Sequence, residues 1–233
     1  MHSLKRKNYE HVKNVLFPGS TPTMSQLRRE LQITDGTTSY NFDFSKKSAG
    51  ALVRETEILL ESNEAFVAQE MALGILVVDP AAAKKNLGVV HSYPNPIEIS
   101  KGWATPAGPA ISADPLPANL EIMWLGSFKI QTDQDVVFER LPGSEFRVVP
   151  QTQLSAVNDF NQQTADDRFR ELQPQMVIFE DKKNKFDYSL PTLQNLPVDS
   201  NNSGAVFYLV AELRGFLITP SDAKKWFRLN QGK

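Results

Sequence analysis

The acids of the stretch TDQDVVFE, Asp133, Asp135 and Glu139, are the nearest this chain comes to a ready-made cluster of reactive groups. Carboxylates this close in sequence suggest a calcium loop or an acid–base pair. A calcium loop needs more oxygen ligands, set in a defined twelve-residue frame. A hairpin tip facing water accounts for these three acids without a metal. Paired carboxylates of the glycosidase kind are no better marked, because 27 acids always offer pairs and nothing here selects one. Asp166 and Asp167 suit the first turn of a helix, where the dipole favours acids.

The histidines are three, at positions 2, 11 and 91. They form no HExxH pattern and no pair at metal-binding spacing. His91, the only one well inside the chain, sits beside a proline-rich loop rather than after a GxSxG elbow, so no serine triad assembles around it. It reads as a structural or solvent-facing residue. There is no cysteine, which removes thiolate catalysis, Cys-ligated zinc and disulfides. No GxxxxGK[ST] loop and no GxGxxG after a strand is present. No catalytic residue, cofactor or metal ligand is assigned, and the expectation is a non-enzyme.

Binding is better represented than chemistry. Lys5, Arg6, Lys7 and Lys13 face the single acid Glu10 in the first twenty residues, a local charge of +3 in a chain of net charge -2. Lys224, Lys225 and Arg228 repeat the motif at the other end. Such groups suit phosphates without reading bases, or a membrane surface or a neighbouring subunit. The competing reading is a pair of ordinary solvated ends. Trp226 and Phe227 beside the second cluster can stack on bases or anchor packing. Tyr93 and Trp103 stand in a proline-rich loop as candidate exposed aromatic contacts, or as rings folded back onto the domain.

The elements that must position these groups are mostly strands. With 233 residues, 41% apolar and 22% charged, the chain is that of one large folded β domain or two smaller ones. The N-terminus has no continuous apolar region of the signal-peptide kind, and MALGILVVDP is about half the ~20 residues of a membrane span. TMSQLRRELQI places Met24, Leu27 and Leu31 at helical spacing after a Thr or Ser cap, a marginal helix. In LVRETEILL and AFVAQEMALGILVVD two readings compete, Ala, Leu, Glu and Met favouring helix and Val, Ile and Phe favouring strand, and strand is the one taken. His91 to Asn119 holds prolines at 94, 96, 106, 109, 115 and 117 and reads as loop, with one short strand at Ile97 to Ile99.

Leu120 to Pro150 reads as a meander. SFKI alternates, TDQD turns, VVFERL resumes a strand whose register Val136 and Val137 leave ambiguous, LPGSE suits a type II turn, and FRVVP is a further strand. A helix is expected from about Thr164, a strand at QMVIFED, a long strand or strand pair with Gly215 as a candidate bulge at AVFYLVAELRGFLI, and a helical turn in TPSDAKKWFRLNQGK. The fold class is mainly β, a jelly-roll-like β-sandwich with long Pro-rich loops and short peripheral helices. Residues 1–50 form an N-terminal arm and entry segment, 51–220 the sandwich with a break available in the 91–119 loop, and 221–233 a tail.

WLGSFKIQTDQDVVFERLPGSEFRV, after LLESNEAFVAQEMALGI, resembles coat proteins of tailless bacterial viruses, which belong to the jelly-roll group. The likeness spans Leu59 to Pro150 and lies in an apolar segment with acidic breaks, then a G-x-x-x-I strand and a strand ending in L-P-x-x-x-F. It implies a capsid protein that self-assembles, as a homo-oligomer or with other virion proteins, into a shell over a membrane or genome. Its place would be the virion, made in the host cytoplasm, and the basic arm would face inward or clasp a neighbour. A single jelly roll fits the length more easily than a double one. The runner-up is a non-catalytic carbohydrate-binding or adhesion sandwich with Tyr93 and Trp103 as its platform. A β-sandwich or cupin-like enzyme is third.

Overall fold

The computed structural model describes residues 2–34, 36–46, 55–78, 90–93, 121–133, 135–148, 168–191 and 206–219. Helix α1 (His2–His11) continues into a π-helical turn, Val12–Leu16. The strands are β1 (Thr23–Gln32), β2 (Ser39–Asn41), β3 (Ala65–Val78), β4 (Val90–His91), β5 (Ser127–Thr132), β6 (Asp135–Pro142), β7 (Arg170–Phe179), β8 (Asn184–Ser189) and β9 (Val206–Ile218). They form two antiparallel sheets. The larger runs β1-β9-β3-β4, with β7 also on β3, and the smaller runs β2-β8-β5-β6. β9 lines one edge of β3 along its whole length, so β7 and β4 share the other edge.

The sheets pack face to face over one apolar core. Leu27, Phe66, Met71, Leu73, Phe207, Leu209 and Leu213 enter it from the larger sheet, and Tyr40, Phe128, Ile130, Phe186 and Tyr188 from the smaller. The parity of β3 changes along its length. Phe66 and Ala68 point into the core, and so do Met71, Leu73 and Ile75. The register shift between Ala68 and Glu70 reconciles the two phases, with Gln69 as the extra residue. That bulge is why AFVAQEMALGI shows neither clean alternation nor a helical period. Opposite it, Gly215 pairs with Ala68, and a Cβ there would run into the Val67 carbonyl oxygen.

β9 is buried at nine of its thirteen positions and half-buried at the others, because both faces of the larger sheet are covered. Its outer face lies under the N-terminus at one end. Val12 and Phe17 pack there on Ala65, Val67, Phe216 and Ile218, with Tyr9 and Leu16 alongside.

Several expectations are corrected. TMSQLRRELQI is strand rather than helix: β1 pairs with β9 over all ten residues, and cross-strand burial outweighs a weak local helical spacing. Residues 1–50 are therefore not an arm ahead of the sandwich. They supply β1, β2 and a helix docked on the larger sheet. After Pro142 the chain winds into a 3-10 turn, Gly143–Phe146, and Arg147 and Val148 continue no strand. That turn buries Phe146 against Phe128, centroids 5.9 Å apart, which an extended FRVVP would not do. From Arg170 the helix expected from Thr164 is strand β7 instead, and its first turn, with Asp166 and Asp167, lies outside the described residues. The strand at Ile97 to Ile99, most of the 91–119 loop and the 221–233 tail lie outside the described residues.

The TDQD hairpin is as expected. Asp133 adopts φ 56° at the tip between β5 and β6 and is exposed, as are Asp135 and Glu139. The ambiguous Val136 and Val137 sit where β5 and β6 lose register, between Ile130 and Gln131. Mainly β architecture in two sandwiched sheets is thus observed.

Candidate functional site

Chemistry-bearing side chains converge on the outer face of the larger sheet. β1 sends Met24, Gln26, Arg28 and Glu30 to that face, because Leu27 points to the core. The register sets Gln26 opposite Arg214, Arg28 opposite Glu212 and Glu30 opposite Val210. β3 adds Glu70 opposite Arg214 and Ala72 opposite Glu212. A charged band therefore crosses the sheet between two apolar zones. On one side is the Phe216 cluster beneath the N-terminus, and on the other are Leu76, Val78 and Val210.

Glu212 is the hub of the band, at 1% exposure. Arg168 lies 2.6 Å from its Oε2, Gln26 donates to Oε1 at 3.0 Å, and Arg28 approaches Oε1 at 3.5 Å. Arg28 also donates through Nε to Glu30 Oε1 at 2.8 Å. The Thr56 hydroxyl donates to the same Glu30 oxygen at 2.7 Å. Thr56 belongs to a segment that closes the free edge of β1, where Arg28 and Ile58 exchange both backbone hydrogen bonds, at 2.7 and 3.0 Å. Glu57 of that segment accepts from the Glu30 amide at 2.8 Å and from Arg29 at 3.0 Å.

Phe169 binds the cations from the other side. The Arg214 guanidinium lies 3.7 Å from its ring centroid and that of Arg168 5.3 Å, a cation–π arrangement. Arg28 and Arg168 thus meet two carboxylates, Glu30 and Glu212, with Arg214 beside them on the Phe169 ring. Burial lowers the Arg168 pKa, as do the charges of Arg28 and Arg214, while Glu212 opposes the shift. Charges withdrawn from water this far persist only when paired and hydrogen-bonded. The band acts as an ionic clamp joining β1, β9, the edge segment and the start of β7.

Beside the band, a cleft of about 360 Å³ opens between the Phe216 cluster and Arg214. Met24, Ser25, Gln69 and Glu70 complete its lining, with Gln26 and Gly215 in its floor. Asn8 of α1 donates to Gln69 Oε1 at 3.3 Å and so ties the helix to the bulge.

The residues singled out in sequence are dispersed. Lys5, Arg6 and Lys7 fall on α1 and Lys13 on the π-helical turn. Arg6 and Lys7 are exposed, and Lys13 lies with its ammonium 5.9 Å from the Tyr9 centroid. They lie along one short helical segment. Lys224, Lys225, Arg228 and Trp103 lie outside the described residues. Tyr93 is half-buried just after β4, as is His91 within it. The sequence does not predict the band. Its one local signal was Glu212, an acid inside the apolar run VFYLVAELRGFLI.

Among the described residues no group of three or more His, Asp or Glu is placed to hold a metal, and no helix is long and apolar enough to cross a membrane. The chain matches no protein-family model, no curated protein and no solved structure.

Proposed function

We propose that this chain is a virion structural protein, a single jelly roll that self-assembles into the capsid shell of a tailless bacterial virus. The observation that carries the reading is the nesting of its strand pairs. β1 pairs with β9, β2 with β8, β3 with β7 and β5 with β6. Pairs nested in this way are those of one long antiparallel ribbon folded over on itself, and the two sheets then alternate along the chain. Such nesting supports a jelly-roll reading, an architecture that capsid domains share with lectins and cupins. β4 is then an insertion between the third and fourth ribbon strands.

Fold alone does not select among those functions. The capsid reading rests further on the resemblance of Leu59 to Pro150 to such coat proteins. A shell subunit needs no catalytic constellation, and the charged band is consistent with that role, since Glu30 and Glu212 are engaged with Arg28 and Arg168. The basic α1 would lie on the outer face of the larger sheet, toward a neighbour or the particle interior.

Light scattering coupled to size exclusion, with electron microscopy of the same fractions, tests the reading. Closed particles or large regular oligomers are expected as concentration rises. A chain that stays monomeric at high concentration would overturn it.

A further inference from the structure

Two acids meet without a base where β3 passes the cleft. Glu70 of β3 stands in register with Glu171 of β7. Both lie on the outer face, because their neighbours Met71 and Leu172 point to the core. Glu70 is half-buried and Glu171 exposed. Like charges directly opposed in a sheet repel. Among the described residues no ion pair or side-chain hydrogen bond engages either acid. Arg214, opposite Glu70 on β9, has its guanidinium on the Phe169 ring, 3.7 Å from the centroid.

Two bases meet without an acid on the adjoining turn of α1. Tyr9 packs edge-on against Phe216, ring centroids 5.7 Å apart, and Asn8 donates to Gln69 Oε1 at 3.3 Å. These contacts fix the turn that carries Arg6 and Lys7 beside the bulge, and Glu70 is the next residue along β3. Arg6 and Lys7 are exposed, and none of the described ion pairs includes either. One small surface thus carries free bases on its helical side and free acids on its sheet side. In the wall of the cleft, Met24 leaves a large apolar side chain 64% exposed.

We infer that this surface is an isologous contact with a second copy of the chain. A two-fold axis through the cleft sets Arg6 and Lys7 of each copy against Glu70 and Glu171 of the partner subunit and brings the two Met24 side chains together at the centre. A patch with acids on one side and bases on the other becomes its own complement after a half-turn, which is what a two-fold interface requires. Opposed charges set the orientation of such a contact, and the apolar centre is what it withdraws from water. The contact deepens the self-assembly reading and rests on it for its place in a shell, although the dimer itself needs no shell.

Charge complementation tests it. Glu70→Lys with Glu171→Lys makes the patch wholly basic, and Arg6→Glu with Lys7→Glu makes it wholly acidic. Sedimentation equilibrium of the full chain, below the concentration at which particles form, should show a dimer at low salt. Each double variant should dimerise about tenfold more weakly or worse, since the two-fold repeats every exposed pair. So should the unaltered chain at about 1 M salt, where the Debye length is ~3 Å. An equimolar mixture of the two variants should restore the dimer. Melting curves verify that both variants fold. If a reversed variant does not, Glu70→Gln with Glu171→Gln replaces it and should abolish the salt dependence. No dimer of the unaltered chain, unchanged dimerisation of a folded variant, no recovery on mixing folded variants, or a salt dependence that survives the glutamine pair would each overturn the assignment. Particles that form without this dimer refute the contact alone, and dimers that never grow into particles refute the shell alone.

Discussion

Arg168 lies 2.6 Å from Glu212 on the outer face of the larger sheet, the carboxylate at 2% and the guanidinium side chain at 15% exposure. The acid is contributed by the centre of β9 and the base by the residue two before β7, so the pair ties the start of one strand to the middle of another. Removing the acid leaves Arg28 and Arg168 without their shared carboxylate. Glu212→Gln should lower unfolding stability by about 3–5 kcal/mol in urea titration. A loss under about 1 kcal/mol would show that the clamp is not holding the sheet edge.

The β3 bulge makes Gly215 a steric requirement rather than a flexible point. A methyl group there meets the Val67 carbonyl oxygen, which is fixed in the ladder. Gly215→Ala should cost about 1–3 kcal/mol, read as a fall in melting temperature. The same substitution at Gly36, where φ is 75° and no atom stands within 4 Å, probes backbone strain alone.

Tyr188 and Gly143 form a coupled pair. The Tyr188 hydroxyl donates to the Met123 carbonyl at 2.5 Å, and a Cβ on Gly143 would collide with that hydroxyl. Tyr188→Phe should lose about 1 kcal/mol. Gly143→Ala should be much less harmful in the Tyr188→Phe background than alone. Additive losses in this double-mutant cycle would contradict the contact.

The same hydroxyl gives a pH dependence. Burial pushes the Tyr188 pKa above the ordinary phenol value, with the Gly126 backbone opposing. The folded chain then keeps a proton that the unfolded chain releases from about pH 10 upward. Its contribution is complete below that pH and is lost as pH rises toward the folded value. Urea midpoints should fall in this alkaline range, and Tyr188→Phe should flatten the fall.

The N-terminus is part of the domain. Phe17 is 2% exposed and packs on Phe179 with centroids 6.3 Å apart. Phe17→Ala should cost about 3–5 kcal/mol in chemical denaturation. An arm that detaches freely would show almost no change.

How much of this was legible beforehand differs by element. β3, β5 and β9 announce themselves through runs of β-branched and aromatic residues, and the TDQD turn through its composition. The acids at that turn remain where their sequence put them, at a wet tip, paired only across the surface as in Lys129–Glu139 at 2.9 Å. β1 carries no clear strand signal, because Met24, Leu27 and Leu31 fit a helix as well as they fit anything local. Arg28 and Glu30 carry no mark of burial in their own neighbourhood.

Composition and local pattern thus determined that this chain builds sheets, where it turns, and which residue types it lacks for chemistry. Tertiary structure alone decided that Arg28 faces Glu212, 184 positions away, and that Arg214 lies on the Phe169 ring. The reason is physical. A strand's periodicity encodes which side chains share a face, but the partner strand, the register and a one-residue bulge are settled by packing between distant segments.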